Sequence, residues 1–133
     1  MIKFPTQMLK RLPIAMAALA SPVQAATVWV PVGTSSTGSR WYMDDRALGA
    51  GSGDYWFKID YSNDRTEKDR SSVQLKRIDC STRRSGTVQA TTYAVNGVAR
   101  SYGPITYPSL SVVVPDTIGE VFVDLICATP NKG

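Results

Sequence analysis

Histidine is absent from all 133 residues, which removes the commonest general base and the commonest metal ligand. Cysteine occurs twice, as Cys80 and Cys127, too few for a cysteine-rich zinc site. No glycine-rich phosphate loop leads into a helical pattern. Beyond the N-terminal stretch, no run is long and apolar enough for a membrane-spanning helix. No interleaved aromatic and basic stripe supports single-stranded nucleic acid. Adjacent carboxylates do occur, Asp44 beside Asp45 and Asp60 near Asp64. Such loop acids are far more often solvated than catalytic, so a hydrolase reading is set aside. The expectation is a protein that is not an enzyme and holds neither metal nor cofactor.

What is present begins with an export pattern. Lys3, Lys10 and Arg11 precede the apolar run 12–20, and Val23-Gln24-Ala25 ends in the small residues a signal peptidase needs. Residues 1–25 therefore read as a cleaved signal peptide rather than a helix of the fold, and 26–133 as a single exported domain. No cysteine lies at the cleavage site, so no lipid anchor is expected. The chain carries 15 Lys and Arg against 11 Asp and Glu. Losing the three basic residues of the signal leaves 12 against 11. A chain so close to neutrality gives no basic footprint for nucleic acid.

The mature chain reads as short strands broken by turns. Residues 27–32 are β-rich, and Pro31 confines that strand to an edge or ends it. In 39–44, Trp41 and Met43 share one face and Arg40 and Tyr42 the other. Residues 45–53, with three glycines, read as a flexible loop. Residues 54–62 alternate strictly, with Tyr55, Phe57, Ile59 and Tyr61 on a dry face. One dry and one wet face suit an antiparallel sheet covered on one side. In 71–80, Val73 and Leu75 fall out of phase with Ile78 and Cys80, which predicts a β-bulge near Lys76-Arg77. A turn over 81–86 and a strand over 87–95 follow. Asn96-Gly97 is a strong hairpin signal, leading to a strand over 98–102. Residues 103–114, with Pro104 and Pro108, read as an irregular crossing.

One convincing helix closes the chain. Ile118, Val121, Phe122 and Leu125 recur at helical spacing. Thr117 and Glu120 form a capping box, in which the Glu120 carboxylate is expected to reach the Thr117 amide. So short a helix needs a surface to lie on, and the dry sheet face offers one. The two cysteines could be free buried thiols, but in an exported chain a Cys80–Cys127 disulfide is expected. It would contribute about 4 kcal/mol in the chain-entropy view. On an ideal helix Cys127 falls opposite the apolar stripe. Either the last turn unwinds or the bridge ties the helix from its flank.

Contact residues are sought where polarity and exposure break the pattern. Trp56 lies on the wet face, either against the Lys58 stem or as a contact residue. Residues 63–70 read as a solvated hairpin loop or as a recognition loop, in which Arg65, Lys68 and Arg70 would meet an acidic partner. Arg83 and Arg84 in the next turn join this candidate set.

From Trp29 to Cys127 the order of features resembles the bacterial surface-adhesin protein E family. The matching pieces are Trp29-Val30 with Val32-Gly33, the strand ending Lys58-Ile59-Asp60-Tyr61, and Ser71-Ser72-Val73. Cys80, the Tyr93 to Asn96-Gly97 hairpin, and the Gly119-Glu120 helix ending at Cys127 complete the match. The resemblance implies an α+β fold, an antiparallel sheet of about six strands with the helix tied to one face by Cys80–Cys127. It also implies a homodimer and adhesion to host surfaces or to matrix proteins such as laminin and vitronectin. The expected protein is a small binding module exported by a Gram-negative bacterium, periplasmic or at the cell surface. The alternative is a periplasmic inhibitor or assembly partner of another envelope protein.

Overall fold

The computed structural model describes residues 26–128; the predicted signal peptide and the residues after Ala128 lie outside the described residues. Seven strands follow in chain order. They are β1 (Trp29–Thr34), β2 (Arg40–Asp44), β3 (Gly53–Asp60), β4 (Asp69–Asp79), β5 (Arg84–Ala94), β6 (Ala99–Tyr102) and β7 (Ser111–Val112), before one helix, α1 (Ile118–Cys127). Strands β1 to β6 form an antiparallel meander in chain order, and β7 adds a short pairing with the start of β5. Each connection is a hairpin, so the alternation legible in the sequence translates directly into neighbouring strands.

Directly opposed residues share a face of the sheet, and the registers assign both faces. Met43 lies opposite Phe57, and Trp41 opposite Ile59. Phe57 and Ile59 lie in turn opposite Gln74 and Ser72. This is the face that α1 covers. Met43, Ala47, Phe57, Ile78, Phe122, Val123 and Ile126 form its buried cluster. The Phe57 and Phe122 rings meet at 4.7 Å in a tilted pair, a geometry that adds to plain area burial.

The bulge predicted in β4 is not there. β3 and β4 pair without interruption from Gly53–Ile78 to Asp60–Ser71. The register shift lies on the facing strand, where Leu75 and Lys76 oppose Gln89 and Thr87 and pass over Val88. Ser72, Gln74, Lys76 and Ile78 therefore share the helix side, and Val73 and Leu75 lie on the open face. The two apolar sets in β4 serve two faces of one regular strand. A second shift separates Asp69 from Ser71.

Residues 45–53 are more structured than a flexible loop. Asp44 accepts from the Arg46 amide at 3.0 Å and opens a 3-10 turn, Asp45–Ala47, whose Ala47 is buried in the core. The Gly49 and Gly51 amides then donate to the Leu125 and Ile126 carbonyls, both at 2.9 Å. These acceptors belong to the last turn of α1, where carbonyls lack partners within the helix.

The helix is seated differently from the stripe expected. Val121 is 41% exposed, whereas Phe122, Val123 and Ile126 are buried. With the inward face centred near Phe122, Val123 and Ile126, Cys127 lies at its side and not opposite it. The helix runs through Cys127 without unwinding, and the Cys80–Cys127 bridge joins Cα atoms 5.6 Å apart. The N-terminal box also differs in detail. Thr117 Oγ1 accepts from the Glu120 amide at 3.4 Å, while Glu120 Oε1 accepts from the Asp116 amide at 3.1 Å, one residue before the one expected.

Candidate binding surface

The two edges of the sheet are built differently. β1 carries Pro31, which has no amide to offer, and its register with β2 shifts between Pro31 and Gly33. Both devices discourage a further strand. β6 has neither, and all four of its residues are exposed. The Ala94 amide donates to the Val98 carbonyl at 2.9 Å. Bonded and non-bonded pairs alternate along an antiparallel ladder. With the register Thr91–Ser101 and Tyr93–Ala99, Ala99 and Ser101 turn their amides and carbonyls away from β5.

Apolar side chains flank this open edge. Val95 is 73% exposed, Val98 57%, Tyr102 52% and Tyr107 89%. Ile105 stays partly exposed as well, although its amide donates to the Val88 carbonyl at 2.8 Å. Single exposed hydrophobic residues need no explanation; here they stand in β6 and in the segments on either side of it, along an unpaired strand edge. The chemistry such an edge offers is main-chain pairing with side-chain anchoring. Reading the strand ends by alternation finds β6, but only its place in the meander makes it an edge.

The six residues singled out from the sequence do not form one surface. Arg65, Lys68 and Arg70 are exposed and come together in the β3–β4 connection and at the start of β4. Arg83 and Arg84 sit beyond the other end of β4, roughly 35 Å away for a strand of that length. Arg83, with φ of 53°, donates to Asp124 Oδ1 at 2.5 Å and so ties the turn to α1. Arg84 is already in β5, paired with Val112 of β7, and not in the predicted turn. Trp56 faces Leu75 on the open face and is half-buried. The Lys58 ammonium lies 5.9 Å from the Trp29 ring centre and 5.6 Å from that of Tyr42. It therefore leans across the β2 and β1 side of the sheet, in cation–π range.

The β3–β4 connection is held by an internal anchor. Asp64 is 5% exposed. Its Oδ2 accepts from Thr37 Oγ1 at 2.7 Å and Ser39 Oγ at 2.5 Å, and its Oδ1 accepts from the Thr66 amide and hydroxyl at 2.9 and 2.5 Å. These donors hold the carboxyl far below the usual carboxylate range. Tyr61 beside it is pushed up, first by burial and then by Glu67 and the neighbouring aspartates. Lys76, on the helix side of β4, donates to Thr87 Oγ1 at 3.1 Å, and burial lowers its pKa. Among the described residues no group of three or more His, Cys, Asp and Glu side chains could hold a metal ion.

Fold and surface together define a small helix-on-sheet α+β domain, closed by one disulfide and offering one unprotected strand edge. The chain belongs to the surface-adhesin protein E family, whose family model matches residues 29–128. Its fold is similar to the crystal form II structure of Haemophilus influenzae protein E, with a TM-score of 0.51 and 16% sequence identity. That match covers 83% of this chain and 94% of the other. No curated protein matches the chain. Membership makes it a surface adhesin-like protein of an exported or cell-surface family. No helix among the described residues is long and apolar enough to cross a membrane.

Proposed function

We propose that this protein is an exported, non-catalytic binding module that takes an extended segment of a protein partner onto the β6 edge. The unblunted edge at Ala99 and Ser101, with the exposed Val98 and Tyr102 at its two ends, carries this reading. Residues 1–25 serve as the removed signal, and 26–133 as the working domain. Family membership directs the search to host proteins, with laminin and vitronectin as the first ligands to assay. A second copy of the chain could use the same edge, giving a homodimer whose formation would compete with ligand.

Binding of immobilised laminin and vitronectin tests the reading. Ser101→Pro removes an outward amide and spares the ladder to β5, where proline is tolerated at an edge. It should cut binding at least about tenfold while the fold melts normally, since main-chain pairing supplies the affinity in this mode. Neutralising Arg65, Lys68 and Arg70 together should weaken binding mostly at low salt if that loop contributes. Binding unchanged by Ser101→Pro would overturn the edge. Sedimentation of wild type and Ser101→Pro reads the dimer. Protease digestion of intact cells, against cells with an opened outer membrane, places the protein outside or in the periplasm. Protection until opening would turn the search toward another envelope protein as partner.

A further inference from the structure

A second surface lies away from the β6 edge. The β1–β2 turn and the entry to α1 enclose a cleft of about 450 Å3, within the range of small-ligand sites. Trp41 and Ile118 form its apolar wall, and Thr34, Ser36 and Asp116 stand around it. Trp41 lies near-parallel to Phe122, at 20° with ring centres 6.3 Å apart. The core thus braces the indole in place, while its remaining surface lines the cleft. Gly119 closes one side without a side chain of its own.

Thr117 and Ser35 spend their hydroxyls on the cap and on the turn. The Thr34 and Ser36 hydroxyls and the Asp116 carboxylate, all on exposed residues, hydrogen-bond to no described residue. The Asp116 backbone, at φ of 62°, is held by the hydrogen bond its amide donates to Glu120 Oε1, which keeps the exposed carboxylate at the mouth of the cleft. Its charge sits at the positive end of the α1 dipole, which offsets it. The same charge, with Glu120 beside it, opposes an anion.

The geometry points to a neutral saccharide as the ligand of this cleft, one pyranose ring stacked on Trp41 with its hydroxyls shared among Asp116, Ser36 and Thr34. A pyranose has an apolar face for the indole and a ring of donors and acceptors at its rim. A flat aromatic, a carboxylate acceptor and two free hydroxyls match that pattern. This ligand class is distinct from the protein partner proposed for β6, and the two surfaces can be tested separately.

The test follows the indole N–H resonances of the protein by NMR during titration with methyl β-D-galactopyranoside, methyl α-D-mannopyranoside and N-acetyl-D-glucosamine. The chain has three tryptophans, so Trp29 and Trp56 are internal controls. At least one sugar should move Trp41 alone and saturably, in the millimolar range. Asp116→Asn, whose side chain tolerates the left-handed backbone, and Ser36→Ala should each weaken that binding by between about twofold and tenfold. Ser101→Pro should leave it unchanged. No shift of Trp41 with any of the three sugars at tens of millimolar overturns the inference. So does a shift that both cleft variants preserve, or a response to choline or inorganic phosphate in place of sugars.

Discussion

The Ser39 hydroxyl donates to the Asp64 carboxylate at 2.5 Å, across 25 residues of chain. That bond joins the β1–β2 turn to the β3–β4 connection, two loops at the same end of the sheet. Thr37 and Thr66 complete the arrangement, so a carboxylate that reads as one more loop acid is the knot between two hairpins.

Asp64→Asn is expected to lower the melting temperature by several degrees at neutral pH, because the hydroxyl donors then face a weaker, uncharged acceptor. The pH dependence has a definite sign. The folded carboxyl is depressed below its ordinary 3.8. Its stabilisation is therefore present above that value and lost as pH falls below it toward the lower folded pKa. Melting scans between about pH 5 and pH 2 should fall more steeply for wild type than for Asp64→Asn. Parallel curves would refute the role given to this group.

Gly38 belongs to the same junction. A Cβ there would stand 2.3 Å from the Asn63 carbonyl oxygen, and its φ is 107°. Gly38→Ala is expected to destabilise by about 1–3 kcal/mol, from backbone strain and the clash together. Urea unfolding measures it, and a loss below about 0.5 kcal/mol would mean the two loops can part freely.

The seating of α1 yields a contrast within adjacent residues. Phe122→Ala should cost about 3–5 kcal/mol and Val123→Ala less, as large-to-small changes in a packed core do. Val121→Ala, at an exposed position, should stay within about 0.5 kcal/mol. Equilibrium denaturation of the three variants reads the rotation of the helix directly. A large loss at Val121 would restore the stripe expected from spacing alone.

Removing the staple, by Cys80→Ser or Cys127→Ser, should cost about 4 kcal/mol for a bridge across 47 residues. The Gly49 and Gly51 amides still hold the end of α1, so the helix should remain docked. Far-ultraviolet circular dichroism below the lowered melting point should therefore match wild type. A melting temperature indifferent to both substitutions would deny the bridge its role.

Much of this architecture was legible residue by residue. Alternation through Tyr55, Phe57 and Ile59 gave β3 and its dry face, and Asn96-Gly97 gave the last hairpin. Thr117 marked the helix start, and two cysteines behind an export-like N-terminal pattern pointed to the bridge. These are local signals, because side-chain direction in a strand and a cap at a helix end depend on a few neighbouring residues. The candidate sites were less legible. The charged loop was visible as composition, but the anchor inside it was not, since two of the donors to Asp64, Thr37 and Ser39, come from a turn 27 and 25 residues away.

Tertiary structure decided what depends on the opposite partner. Apolar residues at 118, 121, 122, 123, 125 and 126 allow more than one inward stripe. The docking of α1 between Cys80 and the Gly49–Gly51 turn selected the one through Phe122, Val123 and Ile126. In β4, Val73 and Leu75 looked like a slipped core until β3 set Trp56 opposite Leu75 on the open face. The edge character of β6 is likewise absent from Ala99–Tyr102 as a string. A strand is an edge only when nothing pairs beyond it, and that is a property of the sheet.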